Sequence, residues 1–251
     1  MKYALAILVS LLPVALLLTA VWGLLFRRRH PGIFWTAFGF GIAATALALL
    51  LQLPLLGVVR RTIVTSGLPL AALLAGVALI EEAVKGGAWY ACFGIFRRPV
   101  KRDIGVAAGS GAVAALAFAG VENLLFNLGA TAQNGGQIVW DIAIARAGAT
   151  VPLHATAGFL IGLIAWRIHG ARRGTPGAWI ALIGLPFLLH AAFNIIQSSG
   201  GSGQQQATHL NPDQWMWIGV AGLLVWAVAA LAIRYDRRQR RLLRRRHETA
   251  R

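Results

Sequence analysis

The sequence predicts an all-α, polytopic membrane bundle of about seven transmembrane helices, with the N-terminus outside and the C-terminus in the cytoplasm. Three observations lead there. The chain of 251 residues is 57% hydrophobic and only 13% charged, where soluble domains carry roughly 25% charged residues. Its mean hydropathy is +0.66. Apolar runs of about 20 residues, the length that crosses a bilayer, follow one another along the chain, and the basic residues gather between them on alternate sides.

The expected spans are 3–26, 33–59, 68–96, 104–129, 140–166, 178–197 and 214–233. The first has the position of a signal peptide, but its apolar stretch exceeds the usual 7–15 residues. It ends in Arg27, Arg28 and Arg29 rather than at a small-residue cleavage site, so it reads as a retained helix. The loops 27–29, 97–102 and 167–173, with the tail from Arg234 onward, hold 19 of the 24 lysines and arginines. The positive-inside rule places those segments in the cytoplasm. The opposite loops, "TAQNGGQIV" and "SSGGSGQQQATHLNPD", hold none, leaving Lys2, Arg60 and Arg61 as the exceptions.

Residues 1–236 read as a single transmembrane unit and 237–251 as a basic cytoplasmic tail that anchors on anionic lipid. The formal net charge of +16 does not point to nucleic acid, because no soluble basic-aromatic module carries it. A lone cysteine, Cys92, excludes an intramolecular disulfide and reads as a packing residue. The stretch 198–213 is rich in Gly, Ser and Gln and reads as a flexible loop on the outer side.

Against this apolar background, a few polar residues stand out. An ionisable group at bilayer depth costs ~3 kcal/mol or more, so each one needs a partner, water or a task. In the third span, "LIEEAVKGG" carries Glu81, Glu82 and Lys85. Glu81 and Lys85 are four residues apart and share a helix face, while Glu82 points ~100° away from Glu81. An internal Glu81–Lys85 pair accounts for one carboxylate; the other needs a further partner or a proton. The fourth span, "FAGVENLLFN", sets Glu122 beside Asn123, with Phe118 one turn before. In the fifth, Arg146, Thr150 and His154 recur at four-residue steps, and Gly158 and Gly162 continue that stripe, where small residues let a neighbouring helix approach. In the sixth, "LLHAAFN" sets His190 and Asn194 one turn apart. Counted from the outer ends of their spans, the acids and histidines lie ~12–21 Å deep at 1.5 Å per residue. Four helices thus place ionisable groups in one layer, which suggests a single shared cavity.

Carboxylates with imidazoles and a carboxamide can supply a general base, proton carriers and a donor to a developing oxyanion. No GxSxG or HExxH pattern is present, so covalent serine chemistry and the common zinc-protease helix are unsupported. The same residues could instead form a proton relay in a coupled transporter, or fix helix register in a scaffold without catalysis. The absence of a clear internal repeat counts against an inverted-repeat transporter.

The ordered set "EEAVKG", "DIGVAAGSGAVAALAFAGVEN", "PLHATAGFLIG" and "LLHAAFN" resembles the PrsW family of intramembrane proteases, and more distantly the CAAX-endopeptidase and bacteriocin-processing membrane proteases. The resemblance runs from Leu79 to Asn194. It implies a multi-pass protein of the bacterial plasma membrane that makes a first cut, near the outer side, in a single-span membrane-anchored regulator such as an anti-sigma factor. It implies catalytic roles for Glu81, Glu82 and His154, with Glu122, His190 and Asn194 completing the site. Lys85, Asn123 and Arg146 then support these groups. In the expected chemistry, one of Glu81 or Glu82 deprotonates the attacking water without a metal. A zinc version is the alternative, with His154, His190 and Glu82 as ligands.

Overall fold

The computed structural model describes residues 2–26, 30–66, 70–137, 140–170 and 176–198, together with Arg234. Among the described residues the chain is helical apart from short turns and connections, with no strand. Helix α1 (Lys2–Val21) runs into a π-helical turn, Trp22–Phe26; α2 (Pro31–Ser66) and α3 (Leu70–Ile95) follow. The basic "RRPVKR" segment, expected as a loop, forms the short helix α4 (Arg97–Arg102). Pro99 falls in its first turn, where a missing N–H has no helical acceptor to lose. Helix α5 spans Ile104–Gln133, α6 is Trp140–Ala145, a π-helical turn covers Arg146–Thr150, and α7 (Val151–Gly170) and α8 (Pro176–Ser198) complete the bundle.

Six of the seven expected spans are therefore found as helices; the seventh, 214–233, the loop beyond Ser198 and the tail 237–251 lie outside the described residues. Among the described residues, four helices are long and apolar enough to cross a membrane by length and composition: Tyr3–Phe26, Pro31–Pro54, Ile104–Gln133 and Arg146–His169. Helix α3 matches them in length but carries Glu81, Glu82 and Lys85 at its middle.

Helix α5 is the hub. It packs against α1, α2, α3 and most extensively α7, while α8 lies across α3 and α7. Every residue from Ile104 to Gly120 is buried, which fits a helix that is apolar all round. Its opening cap is Asp103, whose carboxylate accepts from the backbone N–H of Gly105 at 2.8 Å and of Val106 at 3.3 Å, the side-chain role that favours Asp at helix starts. The sequence "IGVAAGSGAVAALAFAG" is nearly all small residues, so neighbouring backbones can come close. A Cβ at Gly158 of α7 would strike the Gly111 carbonyl and the Ala115 side chain of α5; one at Gly162 would strike the Ala107 carbonyl, and one at Gly41 of α2 the Ala114 carbonyl. Buried polar contacts fix register at the same helix. Asn127 Nδ2 donates to Ser10 Oγ of α1 at 2.8 Å, and Trp89 Nε1 of α3 donates to the Ala107 carbonyl at 3.0 Å.

The tight α5–α7 crossing sets how far His154 reaches toward α5. Gly158→Val is expected to destabilise the protein by about 2–3 kcal/mol, the usual cost of overpacking. Gly129→Ala, where an added Cβ meets open space, should be neutral or slightly stabilising. Thermal unfolding of the detergent-solubilised variants checks both.

Candidate functional site

Helices α3, α5, α7 and α8 bring one ionisable residue or more each to a common buried cluster. Glu81, Glu82 and Lys85 come from α3, Glu122 from α5, His154 from α7 and His190 from α8. Glu82, Lys85 and His154 are at most 1% exposed. The centre is the Lys85 ammonium. It donates to Glu82 Oε1 and to His154 Nδ1 at 2.7 Å, and lies 3.9 Å from Glu81 Oε2. The Phe118 ring closes one side, 4.7 Å from Nζ, within range of a cation–π contact.

The sequence suggests Lys85 as the partner of Glu81, four residues back. The structure gives the close ion pair to Glu82, three residues back. Positions three and four residues apart both neighbour each other on a helix, so spacing alone does not choose; the location of His154 does.

Each histidine spends one ring nitrogen on a carboxylate. His190 Nδ1 lies 2.8 Å from Glu82 Oε1. A carboxylate oxygen accepts only, so Nδ1 carries the proton. The other nitrogen, Nε2, faces Glu81 Oε2 at 3.7 Å. In a neutral ring that juxtaposes two acceptors with no hydrogen between them. In His154 the roles are exchanged. An ammonium only donates, so Nδ1 accepts from Lys85 and Nε2 holds the proton. Nε2 lies 2.9 Å from Glu122 Oε2, close but not aligned as a hydrogen bond. The two imidazoles meet edge to face, with centroids 5.0 Å apart.

A second ring of contacts orients these groups. Arg146, in the π-helical turn before α7, donates from Nη2 to Glu122 Oε1 at 2.8 Å and from Nε to Asn123 Oδ1 at 2.8 Å. Its guanidinium lies 4.0 Å from the centre of the Phe126 ring. Pro152, the second residue of α7, brings no backbone N–H, and π-helical turns often mark functional positions. Thr150 is buried in that turn. Asn194 is half-buried one turn beyond His190. Gln52 of α2 is a participant that the sequence reading passes over: its Nε2 donates to Glu81 Oε1 at 3.0 Å. The available signal was a lone carboxamide inside the apolar run "LALLLQLPLL".

The donor set suits a metal ion. Glu81, His154 and His190 each offer a ligand atom, all within 4.8 Å of one another. Two imidazoles and a carboxylate form a common catalytic zinc set. The carboxylate of this group is Glu81, whereas Glu82 holds the outer nitrogen of His190, as carboxylates behind metal-binding histidines do. Three buried carboxylate oxygens, Glu81 Oε2, Glu82 Oε2 and Glu122 Oε2, accept no hydrogen bond among the described residues. Buried acceptors are seldom left so, and an ion, a water or a substrate would satisfy them.

Residues 29–233 match the sequence family described as PrsW family intramembrane metalloproteases. No curated protein and no solved structure matches the chain.

The Arg146–Glu122 pair anchors the α5 side of the cluster. Arg146→Met alone is expected to cost about 2–3 kcal/mol, because it strands a largely buried carboxylate. Adding Glu122→Gln should restore much of that loss. Unfolding of the two single variants and the double variant in detergent checks the coupling; equal losses in Arg146→Met and the double variant would contradict it.

Proposed function

This chain belongs to the PrsW family of intramembrane metalloproteases, and from that premise we propose that it hydrolyses a peptide bond of a membrane-anchored protein at the Glu81–Glu82–His154–His190 cluster. One observation carries the reading. Two buried carboxylates on consecutive residues each keep an oxygen without a hydrogen-bond partner among the described residues, beside two histidines from other helices.

Glu82 is the general base. Lys85 and His190 fix its Oε1, which orients the carboxylate and leaves Oε2 to take a proton from water. The hydroxide so formed attacks the scissile carbonyl carbon. The oxyanion of the tetrahedral adduct accepts from the Asn194 carboxamide, one turn beyond His190 on α8. Collapse breaks the C–N bond, and the proton held by Glu82 passes to the leaving amine, so the water ends divided between the new carboxyl and amino termini. His190 touches both glutamates through its two nitrogens, so it can carry a proton between them. His154 is held by Lys85 on one side and Glu122 on the other, and keeps the α7 wall of the site in place. A divalent metal held by Glu81, His154 and His190 would add Lewis-acid polarisation of the carbonyl and the attacking water.

Several further readings belong to this proposal. The substrate is a single-span protein, of the kind represented by anti-sigma factors, cut toward the outer face of a bacterial plasma membrane. The depth of the polar residues along their spans and the distribution of basic loops support the side; the family supports the substrate class. The basic tail rests on anionic lipid and takes no part in cleavage.

Purified protein in liposomes with single-span test substrates is the experiment. Wild type should release two fragments. Glu82→Gln should lower the turnover rate by about 10²-fold or more, the scale of general acid–base catalysis, and His154→Ala should do likewise. Cleavage that survives Glu82→Gln undiminished would remove the assigned base. Ion-dependent flux without any cleavage would replace the protease with a transporter.

A further inference from the structure

Lys85 has a position unusual for a lysine. Its ammonium is enclosed by the groups that a bound cation would seek: Glu82 Oε1, His154 Nδ1 at 2.7 Å, Glu81 Oε2 at 3.9 Å and the face of Phe118. Two of these four residues, Glu81 and His154, also belong to the group that could hold a metal.

His154 must give a nitrogen to any metal held by the cluster, yet Nδ1 already accepts from Lys85 and Nε2 already faces Glu122. One of those contacts has to open. The Glu122 side is held by the ion pair to Arg146 and so ties α5 to the turn before α7. The Lys85 side ends on a flexible four-carbon stem carrying a single point charge. Metal-binding histidines keep one ring N–H on a carboxylate and ligate through the other nitrogen. Nε2 of His154 and Nδ1 of His190 already occupy that outer role. That leaves His190 Nε2 beside Glu81 and, on His154, only Nδ1, the nitrogen that Lys85 covers.

We propose that Lys85 is a tethered cation that competes with a divalent metal for His154 Nδ1 and the adjoining carboxylates. The ammonium keeps the cluster assembled without a metal, and a metal enters only as the ammonium withdraws. The proposal rests on the same Glu81–His154–His190 donor set as the proposed function, but binding reads it, not cleavage. It also has a distinctive sign. A lysine that only holds the donors in place would, when removed, loosen the cluster and weaken metal binding; a competitor, when removed, strengthens it.

The test is zinc binding by the purified full-length chain in detergent, titrated against a chromogenic chelator. Four proteins are compared: wild type, Lys85→Met, Glu82→Gln and Glu82→Gln with Lys85→Met. The last pair removes the ammonium with its nearest carboxylate already neutral, so a folding failure of Lys85→Met alone still leaves a decisive comparison. Loss of Lys85 should tighten zinc binding by about ten-fold or more, the scale of a hydrogen bond to a charged group. Adding His154→Ala should abolish that gain. Zinc affinity that is unchanged or weaker without Lys85, or no zinc binding by any of the four, overturns the proposal. Cleavage by the same preparations is scored separately, so the protease reading can stand while the competition fails, or the reverse.

Discussion

The structure depends on the mutual neutralisation of charges placed where lipid surrounds the bundle. Glu81, Glu82, Glu122, Lys85 and Arg146 would each be costly alone at that depth. They become tolerable because every carboxylate has a cation or an imidazole beside it. Lys85 binds Glu82, Arg146 binds Glu122, and the two histidines link these pairs into one network. Removing one partner of such a pair leaves a charge uncompensated, and that is the expensive state. The network therefore joins α3, α5, α7 and α8 through side chains from all four.

Packing sets the distances on which that network relies. Helix α5 is built of glycines and alanines along its buried half, so α7 comes close enough for His154 to meet Glu122. The glycine crossings leave no room for adjustment, and the polar groups inherit that precision. Helix α8 has no comparable seam with α5. It lies across α3 and α7, and His190 reaches both glutamates from there. Gln52 completes the enclosure from α2. Among the described residues, three buried carboxylate oxygens, on Glu81, Glu82 and Glu122, are still left without hydrogen-bond donors, and that residual acceptor capacity turns a structural network into a candidate site for water, metal or a peptide bond.

Much of this was legible in the sequence. The helices follow from apolar run lengths, and the acids and histidines stand out because an apolar span makes any ionisable residue conspicuous. Glu81, Glu82, Lys85, Glu122, Asn123, Arg146, His154 and His190 all meet in the contacts described, from four helices whose depths could be compared residue by residue. Other features were not legible. Which glutamate Lys85 binds depends on where another helix brings His154, and spacing within α3 cannot encode that. Gln52 carries no charge, so a hydropathy reading passes over it. The break of the fifth span into α6, a π-helical turn and α7, beside Arg146 and Pro152, is something a run length does not record. The seventh span and the tail lie outside the described residues.

The central claim is that the histidines of two helices each rest on a glutamate of another. Solid-state NMR on membrane-embedded protein, with histidine ring nitrogens labelled in 15N and glutamate side-chain carboxyls in 13C, measures that directly. Strong 15N–13C dipolar dephasing is predicted for two histidines, one signal disappearing in His154→Ala and the other in His190→Ala. Histidines with no close carboxyl carbon, in wild-type protein that is folded and pure, would contradict the account at its root.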